Sequence, residues 1–340
     1  MKTSKNLTLT DLAKLAGVST STASRALNHN PLIKQATRDR INELAKRYNF
    51  SLNAAASRLR TQKTGVVAVI LNLIDQTAQS TSDPFLLKLV GDLNIALNKS
   101  GYELLLSNSF MATDDWARYF IDGKRADGII VIGQAKDDDK LIQTAKAKVP
   151  LVVWGDPRST NDYIIVGSDN KLGAYQATQH LISGGGKRIL FLGDPEHAEM
   201  SERYKGYHQA LSEAGLPHGE ELTLSIDITS SSAYVAISQS ILSKGLTFDA
   251  IFACSDMMAL GALKALKERY IGIPNEVSIV GFDDIMMSEL FHPSLTTIRQ
   301  NTSVAAEKIV EQLVAQLSNK PANSVTIDVE LQERMSSRKA

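Results

Sequence analysis

Arg25 and the hydroxyl side chains that precede it are the first residues whose types and spacing suggest a chemistry. Ser19 stands where an N-cap hydroxyl would accept hydrogen bonds at the start of a helix that runs to about Asn28. The apolar residues of this stretch can face inward, which leaves four polar side chains on the outer surface: Thr20, Ser21, Ser24 and Arg25. A short polar helix with an arginine fits the major groove of DNA, with its N-terminal residues toward base edges. The same window also fits an ordinary amphipathic helix, so its flanks must decide.

Polar and aromatic residues at the ends of predicted strands form a second candidate group. Trp154 ends one strand, and Ser255 and Asp283 follow two others. In open α/β sheets ligands bind beyond the carboxyl ends of strands, and a small polyol needs hydrogen-bonding groups around an aromatic face. We therefore expect a small-molecule site here. Trp154 also fits a core position, Gln134 fits ligand or surface equally well, and Asp256 is expected to cap the next helix.

Catalytic and metal-binding patterns are missing from the sequence. The run Gly184–Lys187 lacks the spacing of a phosphate-binding loop, and it precedes a predicted strand instead of opening a helix. No Gly-x-Ser-x-Gly motif occurs, and the six His and one Cys do not have the spacing of metal ligands. We expect a protein that is not an enzyme and that needs no cofactor or metal.

Three predicted helices near the start of the chain would position the arginine-bearing surface. Thr8 and Asp11 form an acidic variant of the capping box at the first helix. Its apolar stripe follows at helical spacing: Leu12, Leu15 and Ala16. A third helix is predicted from about Lys34 to Tyr48, and its apolar stripe is Ile41, Leu44, Ala45 and Tyr48. Residues 1–48 are therefore predicted to form a helix-turn-helix DNA-binding domain.

The charge distribution favours a polyanion partner for this region. Residues 1–63 hold 12 Lys and Arg against 3 Asp and Glu, a net +9, and the rest of the chain holds 25 against 34, a net −9. A basic head on an acidic body indicates a nucleic-acid partner for the head alone. The single Cys254 fits a reducing compartment, and no apolar run is long enough to span a membrane. We expect a soluble cytoplasmic protein.

Beyond residue 64 the pattern changes to alternating strands and amphipathic helices. The predicted strands are apolar runs: Gly65–Leu71, Tyr102–Ser107, Gly128–Ile132, Leu151–Trp154, Ile189–Gly193, Ala250–Ala253 and Ser278–Gly281. The helices between them include Phe85–Ser100, Lys171–Ser183, Glu202–Ala214 and Asp256–Arg269. This alternation predicts an α/β fold of parallel sheets wrapped by helices. About ten strands are many for one sheet, so we expect two similar lobes joined by several chain crossings.

Residues 9–28, LTDLAKLAGVSTSTASRALN, resemble the head of the lactose-repressor (LacI/GalR) family, whose usual pattern is DVAxxAGVSxxTVSRxLN. The match is nearly continuous, with Ala23 in place of the usual Val. The resemblance implies that Thr20, Ser21 and Arg25 read bases. It implies that five further residues brace phosphates: Thr8, Ser19, Thr22, Asn28 and Thr37. A bidentate pair between Arg25 and guanine would contribute about 1–3 kcal/mol of discrimination.

Residues 49–64 form the linker, and they resemble the hinge helix of the same family. Three of its residues lie three apart on one helical face: Asn53, Ala56 and Leu59. The resemblance implies that Leu59 wedges into the minor groove, with Arg58 or Arg60 on nearby phosphates. A passive Ala-rich tether is the alternative. Leu52 replaces the Pro that usually precedes the hinge Asn, which leaves the start of this helix open.

The body also resembles this family along its whole length, in six segments: residues 83–85, 126–130, 203–207, 255–262, 280–284 and 293–300. The resemblance implies that residues 65–340 have a periplasmic-binding-protein fold with a ligand cleft between two lobes. The first lobe would comprise about residues 65–165 and 300–325. The second would comprise about residues 166–298 and 326–335.

The resemblance also indicates which residues line this cleft. Six residues are expected to bind the effector: Phe85, Gln134, Trp154, Arg203, Ser255 and Asp283. Among them, Arg203 and Asp283 match the two main effector-binding positions of the family. Gly155 stands where Asp is common, and Ile228 stands where an aromatic platform is frequent. We therefore expect Trp154 to stack on the ligand.

These expectations combine into a DNA-binding transcriptional regulator, a repressor of carbohydrate-utilisation genes that is controlled by a small sugar. No heptad tail follows the last predicted strand, so we expect a homodimer on a near-palindromic operator. Two alternatives stay open. One keeps the architecture but has a nucleobase as corepressor, and the other is a soluble sugar-binding protein without a regulatory role, which leaves the +9 head unexplained.

Overall fold

The computed structural model of the chain describes residues 7–27, 30–50, 63–73, 80–110, 115–134, 139–158 and 162–339. The chain divides into two compact units, Met1–Thr64 and Gly65–Ala340, which we call the head and the body. Five residues that were expected to contact DNA lie outside the described residues: Asn28, Asn53, Ala56, Leu59 and Arg60.

The described part of the head contains three short helices around one small core. Helix α1 spans Leu9–Leu15, α2 spans Thr20–Leu27 and α3 spans Gln35–Arg47. The predicted capping box is present, because the Thr8 hydroxyl accepts from the Asp11 backbone N–H and the Asp11 carboxylate accepts from the Thr8 N–H. Five buried side chains form the core: Leu12, Ala16, Ala26, Ile41 and Ala45.

Two of the predicted stripe positions in the head are wrong. The Leu15 residue is 50% exposed and Tyr48 is 46% exposed. Leu15 is the last residue of α1, and Ala13 is buried instead. Tyr48 is the C-cap of α3, where the chain leaves the helical path that keeps Ile41 and Ala45 on the core side.

The described part of the body contains twelve strands in two six-stranded sheets. In chain order they are β1 Val66–Leu71, β2 Glu103–Asn108, β3 Gly128–Ile132, β4 Leu151–Trp154, β5 Ile164–Ser168, β6 Ile189–Leu192, β7 Thr223–Leu224, β8 Ala250–Ala253, β9 Ser278–Asp283, β10 Thr296–Gln300, β11 Val325–Ile327 and β12 Val329–Gln332. The first sheet has the order β11-β5-β4-β3-β1-β2 and the second has the order β12-β10-β9-β8-β6-β7. Only the pair β10 and β12 is antiparallel among these strands. The predicted α/β fold with two lobes is confirmed.

Helices flank both sheets. They are α4 Pro84–Lys99, α5 Asp139–Lys146, α6 Asn170–Ser183, α7 Ala198–Glu213, α8 Ser230–Lys244, α9 Asp256–Lys267, α10 Met286–Leu290 and α11 Thr302–Leu317, with a π-helix at Ala117–Asp122 and a 3₁₀ turn at Glu220–Leu222. α4 shows why such a helix begins where it does. The Asp83 carboxylate accepts from the backbone N–H groups of Phe85 and Leu86, and Pro84 occupies the first turn.

Strand β1 shows why the first sheet is buried on both faces. Val67 and Val69 belong to the core that lies against α4 and α11. Val66, Ala68 and Ile70 point to the other face and belong to a second core that includes the indole of Trp116. Alternate side chains of a strand point to opposite faces, so a continuous apolar run is what a parallel sheet covered by helices requires.

The chain passes between the two lobes three times within the described residues: after β5, after β10 and between β11 and β12. Among the described helices, none has the length and apolar character needed to cross a membrane.

Candidate functional sites

The outer face of α2 carries the residues that were expected to read bases. Thr20, Ser21 and Arg25 are all exposed. Ser19 caps the helix as predicted, because its Oγ accepts from the Thr22 backbone N–H at 3.2 Å. The same Oγ lies 2.9 Å from the Ser21 Oγ and 2.8 Å from the Thr22 Oγ1. This hydroxyl cluster fixes the first turn and leaves Arg25 as the long exposed side chain of the surface.

The expected position of Ser24 on this outer surface is wrong, since the residue is only 3% exposed. At 3.6 residues per turn, Ser24 lies roughly 60° around the helix from Leu27. It is therefore at the flank of the buried face that also holds Ala23 and Ala26. A buried hydroxyl at this position cannot reach a base edge.

The described residues expected on phosphates lie at helix N-termini. Thr8 caps α1, Ser19 caps α2 and Thr37 lies in the first turn of α3. Helix N-termini present backbone N–H groups and a positive dipole end to anions. The head also exposes basic side chains around these helices: Lys14, Arg25, Lys34, Arg40, Lys46 and Arg47. Together these groups can bind a polyanion.

A cavity of about 80 Å³ lies between the two lobes of the body, at the carboxyl ends of the parallel strands. All six residues expected to bind the effector line it: Phe85, Gln134, Trp154, Arg203, Ser255 and Asp283. A single water needs roughly 10–15 Å³ on this scale, so the cavity has room for several water molecules or a small ligand.

The aromatic wall of the cavity combines residues from two elements of the first lobe. The rings of Phe85, in the first turn of α4, and Trp154, at the end of β4, lie 6.3 Å apart with an angle of 43° between their planes. Ile228 also lines the cavity, from the second lobe. An indole and a phenyl ring at one wall offer the apolar surface on which the C–H face of a sugar ring can pack.

The guanidinium of Arg203 is held firmly before any ligand arrives. Its Nε donates to the Asn170 Oδ1 at 2.9 Å, and one terminal nitrogen donates to the backbone carbonyl of Cys254. The guanidinium carbon lies 3.8 Å from the centre of the Phe282 ring, a cation–π contact. Arg203 is buried, and its geometry is thus fixed by three partners around it.

Asp283 is the last residue of β9 and has a φ of 127°, in the left-handed region. Its Oδ1 accepts from the Gln300 Nε2 at 2.7 Å. Burial raises the pKa of this carboxyl well above its usual value, and the negative charges of Asp256 and Asp83 act in the same direction. The nearby guanidinium of Arg203 opposes that rise. Asp283 can therefore accept from a ligand hydroxyl or, when protonated, donate to one.

The expectation that Asp256 caps the following helix is wrong. The cap is Ser255, whose Oγ accepts from the Met258 backbone N–H at 3.2 Å. Asp256 is fully buried and accepts from the hydroxyls of Thr297 and Ser288, each at 2.5 Å. Burial raises the pKa of Asp256 to about 7. Asp256 therefore joins α9 to β10 and to α10, directly after the cavity-lining Ser255.

Gln134 lines the cavity, but its amide already has protein partners. Its Oε1 accepts from the Asp156 backbone N–H at 2.7 Å, and its Nε2 donates to the Tyr163 hydroxyl at 3.1 Å. A Cβ placed on Gly155 would lie 2.3 Å from the Gln134 Oε1. The Gln134 amide thus fills the space beside Gly155, which explains why residue 155 has no side chain.

Several residues of the cavity wall were not predicted from the sequence: Asn72, Asp83, Ser168, Asn170, His197, Glu199, Met200 and Gln300. Ser168 ends β5, a strand that was not assigned, so its position at a carboxyl end went unrecognised.

His197 Nδ1 lies 3.2 Å from a Glu199 carboxylate oxygen. Burial alone would lower the pKa of His197, but the neighbouring Glu199 carboxylate raises it. Conversely, burial alone would raise the pKa of Glu199, but His197 and Arg203 lower it. Among the described residues, no group of His, Cys, Asp or Glu is arranged to hold a metal ion.

Comparison with known proteins gives two family matches. Residues 8–53 match the family described as bacterial regulatory proteins, lacI family. Residues 178–337 match the periplasmic binding protein-like domain. The first match covers the described helices of the head, and the second covers most of the second lobe.

Two similar relatives are transcriptional regulators. The HTH-type transcriptional regulator MalR of Clostridium butyricum is 32% identical over 337 residues, which cover 96% of this chain and 98% of the relative. The HTH-type transcriptional repressor PurR of Aliivibrio salmonicida is 30% identical over 319 residues, which cover 92% of this chain and 93% of the relative.

Two solved structures are similar over nearly the whole chain. The complex of the transcriptional regulator CelR with cellobiose has a TM-score of 0.73 and 28% identity, and the match covers 97% of this chain and 99% of that one. The Lac repressor dimer bound to operator and the anti-inducer ONPF has a TM-score of 0.82 and 23% identity, with 98% and 100% covered, and it shows the shared fold. The full-length relatives, the lacI-type head and the two-lobed body show that this chain belongs to the LacI family of bacterial transcriptional regulators.

Proposed function

We propose that this regulator represses carbohydrate-utilisation genes and that a small sugar in the cleft controls its binding to DNA. One observation carries the proposal: a cavity between two lobes combines an aromatic wall with fixed polar groups. Phe85 and Trp154 offer a face for the apolar side of a sugar ring, and Arg203 and Asp283 offer hydrogen-bonding groups for its hydroxyls. The similarity to the CelR–cellobiose complex supports a sugar as the effector.

On the DNA side, we propose that a homodimer binds a near-palindromic operator through its two heads. Arg25 would read guanine in each half-site, and Thr20 and Ser21 would contact neighbouring bases. The hydroxyls and N–H groups at the starts of α1, α2 and α3 would bind phosphates. The similarity to the operator-bound Lac repressor dimer supports this arrangement. We also propose that four residues of the hinge contact the operator DNA: Asn53, Ala56, Leu59 and Arg60.

A nucleobase as corepressor is the second candidate, because the relatives include a PurR with 30% identity over 92% of this chain. The aromatic wall and the Arg203 guanidinium could also hold a planar heterocycle. We further propose that the chain acts by binding alone and not by catalysis, as its regulator relatives do, and that it acts in the cytoplasm, where bacterial operator DNA lies.

The direct test is thermal unfolding of the purified chain with a panel of mono- and disaccharides and of purine bases. The proposal expects the melting temperature to rise with one or a few related sugars, since a ligand that binds only the folded state stabilises it. A shift with purine bases and with no sugar would favour the second candidate. No shift with any sugar or base would contradict both.

A matched pair of variants ties such a shift to the cleft. Asp283→Asn keeps an oxygen that can accept from Gln300 and tolerates the positive φ, but it removes the carboxylate from the cavity. Asp227→Asn makes the same change at an exposed site outside the cavity. We expect Asp283→Asn to lose the sugar shift and to keep operator affinity, and Asp227→Asn to keep both. Retention of the sugar shift in Asp283→Asn would place the site elsewhere.

A further inference from the structure

The charged groups of the cavity wall are mostly acidic. Among the described residues, its acidic side chains are those of Asp83, Glu199 and Asp283, and its basic ones are those of Arg203 and His197. Burial raises the pKa of Asp283 and of Asp83, whereas the pKa of Glu199 is lowered, so Glu199 is the most firmly ionised carboxylate of the three. An anionic ligand would have to enter a desolvated space beside this negative charge. Like charges repel most strongly where water is excluded.

The helix N-termini near the cavity already carry polar side chains of the chain itself. At α4, the Asp83 carboxylate accepts from the N–H groups of Phe85 and Leu86, at 2.9 and 3.2 Å. At α7, Glu199 is in the first turn. At α9, Ser255 caps the helix and Asp256 is in the first turn. A helix N-terminus is a common binding site for phosphate, and at α4 and α9 N–H groups of the first turn are already bonded to the Asp83 carboxyl and the Ser255 hydroxyl.

The guanidinium of Arg203 already uses two of its N–H groups within the protein, which limits how it can bind a phosphate. Proteins bind phosphate with arginine most often through two parallel N–H groups of one guanidinium. Here the Nε is used by Asn170 and one terminal nitrogen is used by the carbonyl of Cys254. The face of the guanidinium lies on the Phe282 ring. The side-on contact, in which Nε and one terminal nitrogen bind the same anion, is therefore closed, and the remaining N–H groups are on the terminal nitrogens.

Glu199 is the acidic group best suited to discriminate between ligands. It lines the cavity, its side chain is 15% exposed, and His197 Nδ1 lies 3.2 Å from its carboxylate. His197 and Arg203 lower its pKa against the effect of burial, which keeps the carboxylate ionised at neutral pH. An ionised carboxylate only accepts hydrogen bonds, so it pairs with ligand hydroxyls and repels a phosphate.

From these observations we infer that the cleft selects uncharged sugars over phosphorylated ones and that Glu199 is a determinant of that selection. The inference rests on the proposed sugar-controlled function and specifies its ligand class. The Asp83 carboxyl already occupies N–H groups at the start of α4, and the Glu199 carboxylate both binds a hydroxyl and repels the anion.

The test compares the affinities of matched pairs, each a free sugar and its phosphate ester, by calorimetry with the full chain at pH 7.5. Suitable pairs are glucose with glucose 6-phosphate, maltose with maltose 6′-phosphate and cellobiose with cellobiose 6′-phosphate. We expect the free member of the binding pair to bind at least roughly tenfold more tightly than its ester. Tighter binding of an ester than of its free sugar would overturn the inference and leave sugar control intact. Binding of neither member of any pair would contradict the proposed function itself.

Two variants assign the selection to Glu199. Glu199→Gln keeps the shape and removes the charge, and Glu196→Gln makes the same change three residues earlier, at an exposed residue that does not line the cavity. We expect the ratio of the two affinities to fall by roughly fivefold in Glu199→Gln and to stay unchanged in Glu196→Gln. An unchanged ratio in Glu199→Gln would remove Glu199 from the inference. The wild-type comparison decides the ligand class even if Glu199→Gln does not fold.

Discussion

Arg25 and Arg203 have the same side chain in opposite environments. Arg25 is exposed on α2, whereas Arg203 is buried and contacts Asn170, Cys254 and Phe282. The family resemblance assigned a base-reading role to Arg25 and an effector-binding role to Arg203. The structure adds what residue spacing cannot show, namely which N–H groups of Arg203 already have protein partners. The same limit explains the errors at Ser24 and Asp256, since residue type fits both an exposed and a buried position there.

Removal of the Arg25 side chain should reduce sequence preference more than overall affinity for DNA. We expect Arg25→Ala to lose about 1–3 kcal/mol of discrimination, roughly 5- to 150-fold in the ratio of operator to random-duplex affinity. The measurement is fluorescence anisotropy with both duplexes at fixed salt. Arg47→Ala, at the exposed end of α3, is the matched control, and it should lower both affinities and keep their ratio. A preserved ratio in Arg25→Ala would show that Arg25 does not read bases.

The buried carboxyl of Asp256 should make the stability of the body depend on pH. Its pKa is raised by burial from 3.8 to about 7, so the folded state holds a proton that the unfolded state releases above about pH 4. The free energy of unfolding should therefore fall as pH rises from about 4 to about 7, by at most a few kcal/mol at roughly 1.4 kcal/mol per pKa unit. The raised pKa of Asp283 acts in the same direction.

Urea unfolding at pH 4.5, 6.0 and 7.5 measures this dependence. The variant Asp256→Asn cannot exchange the proton, and its midpoint should change less with pH than that of the wild type. Asp227→Asn, at an exposed site, should follow the wild type. Equal pH dependence in all three proteins would show that Asp256 does not titrate in this range.

At the scale of elements, the apolar runs were the most reliable guide. Gly128–Ile132, Leu151–Trp154 and Ala250–Ala253 were predicted with the bounds that the structure has, because these strands are buried on both faces. Helix α8 was not assigned, since its Ser-rich start has the composition of a loop and its apolar residues make a weak stripe. Strand β5 was not assigned either, so Ser168 at its end and Asn170 just after it were not predicted to line the cavity.

An ion pair between elements of the two lobes should help to close the cleft. Arg158, after β4, contacts the carboxylates of Asp169 and Glu202, the latter on α7 of the second lobe at 3.4 Å. The Arg158 side chain is 37% exposed, so solvent screens the pair and its contribution is modest. We expect Arg158→Gln to weaken sugar binding about two- to fivefold, mainly through faster dissociation.

Lys205→Gln is the matched control for Arg158→Gln. Lys205 contacts the same Glu202 carboxylate, but both residues lie on α7 in one lobe, so their contact cannot hold the lobes together. Stopped-flow measurement of sugar dissociation should find a faster rate in Arg158→Gln and an unchanged rate in Lys205→Gln. Equal rates in the two variants would show that the ion pair between the lobes has no part in closure.

The whole molecule links a basic head to an acidic body that contains the cleft. Opposite net charges, +9 for residues 1–63 and −9 for the rest, confine attraction for DNA to the head. A ligand can change the affinity for operator only if it binds one arrangement of the lobes more tightly than the other. The change cannot exceed the ratio of its affinities for the two arrangements. Control of DNA binding by a sugar is therefore a coupling between two sites, and it must be equal in both directions.

Measurement of that coupling in both directions tests the central claim most directly. Operator affinity is measured by anisotropy with and without the sugar, on a duplex selected from random sequences, and sugar affinity is measured by calorimetry with and without that duplex. The account predicts a salt-sensitive preference for the selected duplex and the same factor in both measurements, roughly 5- to 150-fold. A chain that prefers no duplex, or a sugar that binds in the cleft and leaves operator affinity unchanged, would contradict it.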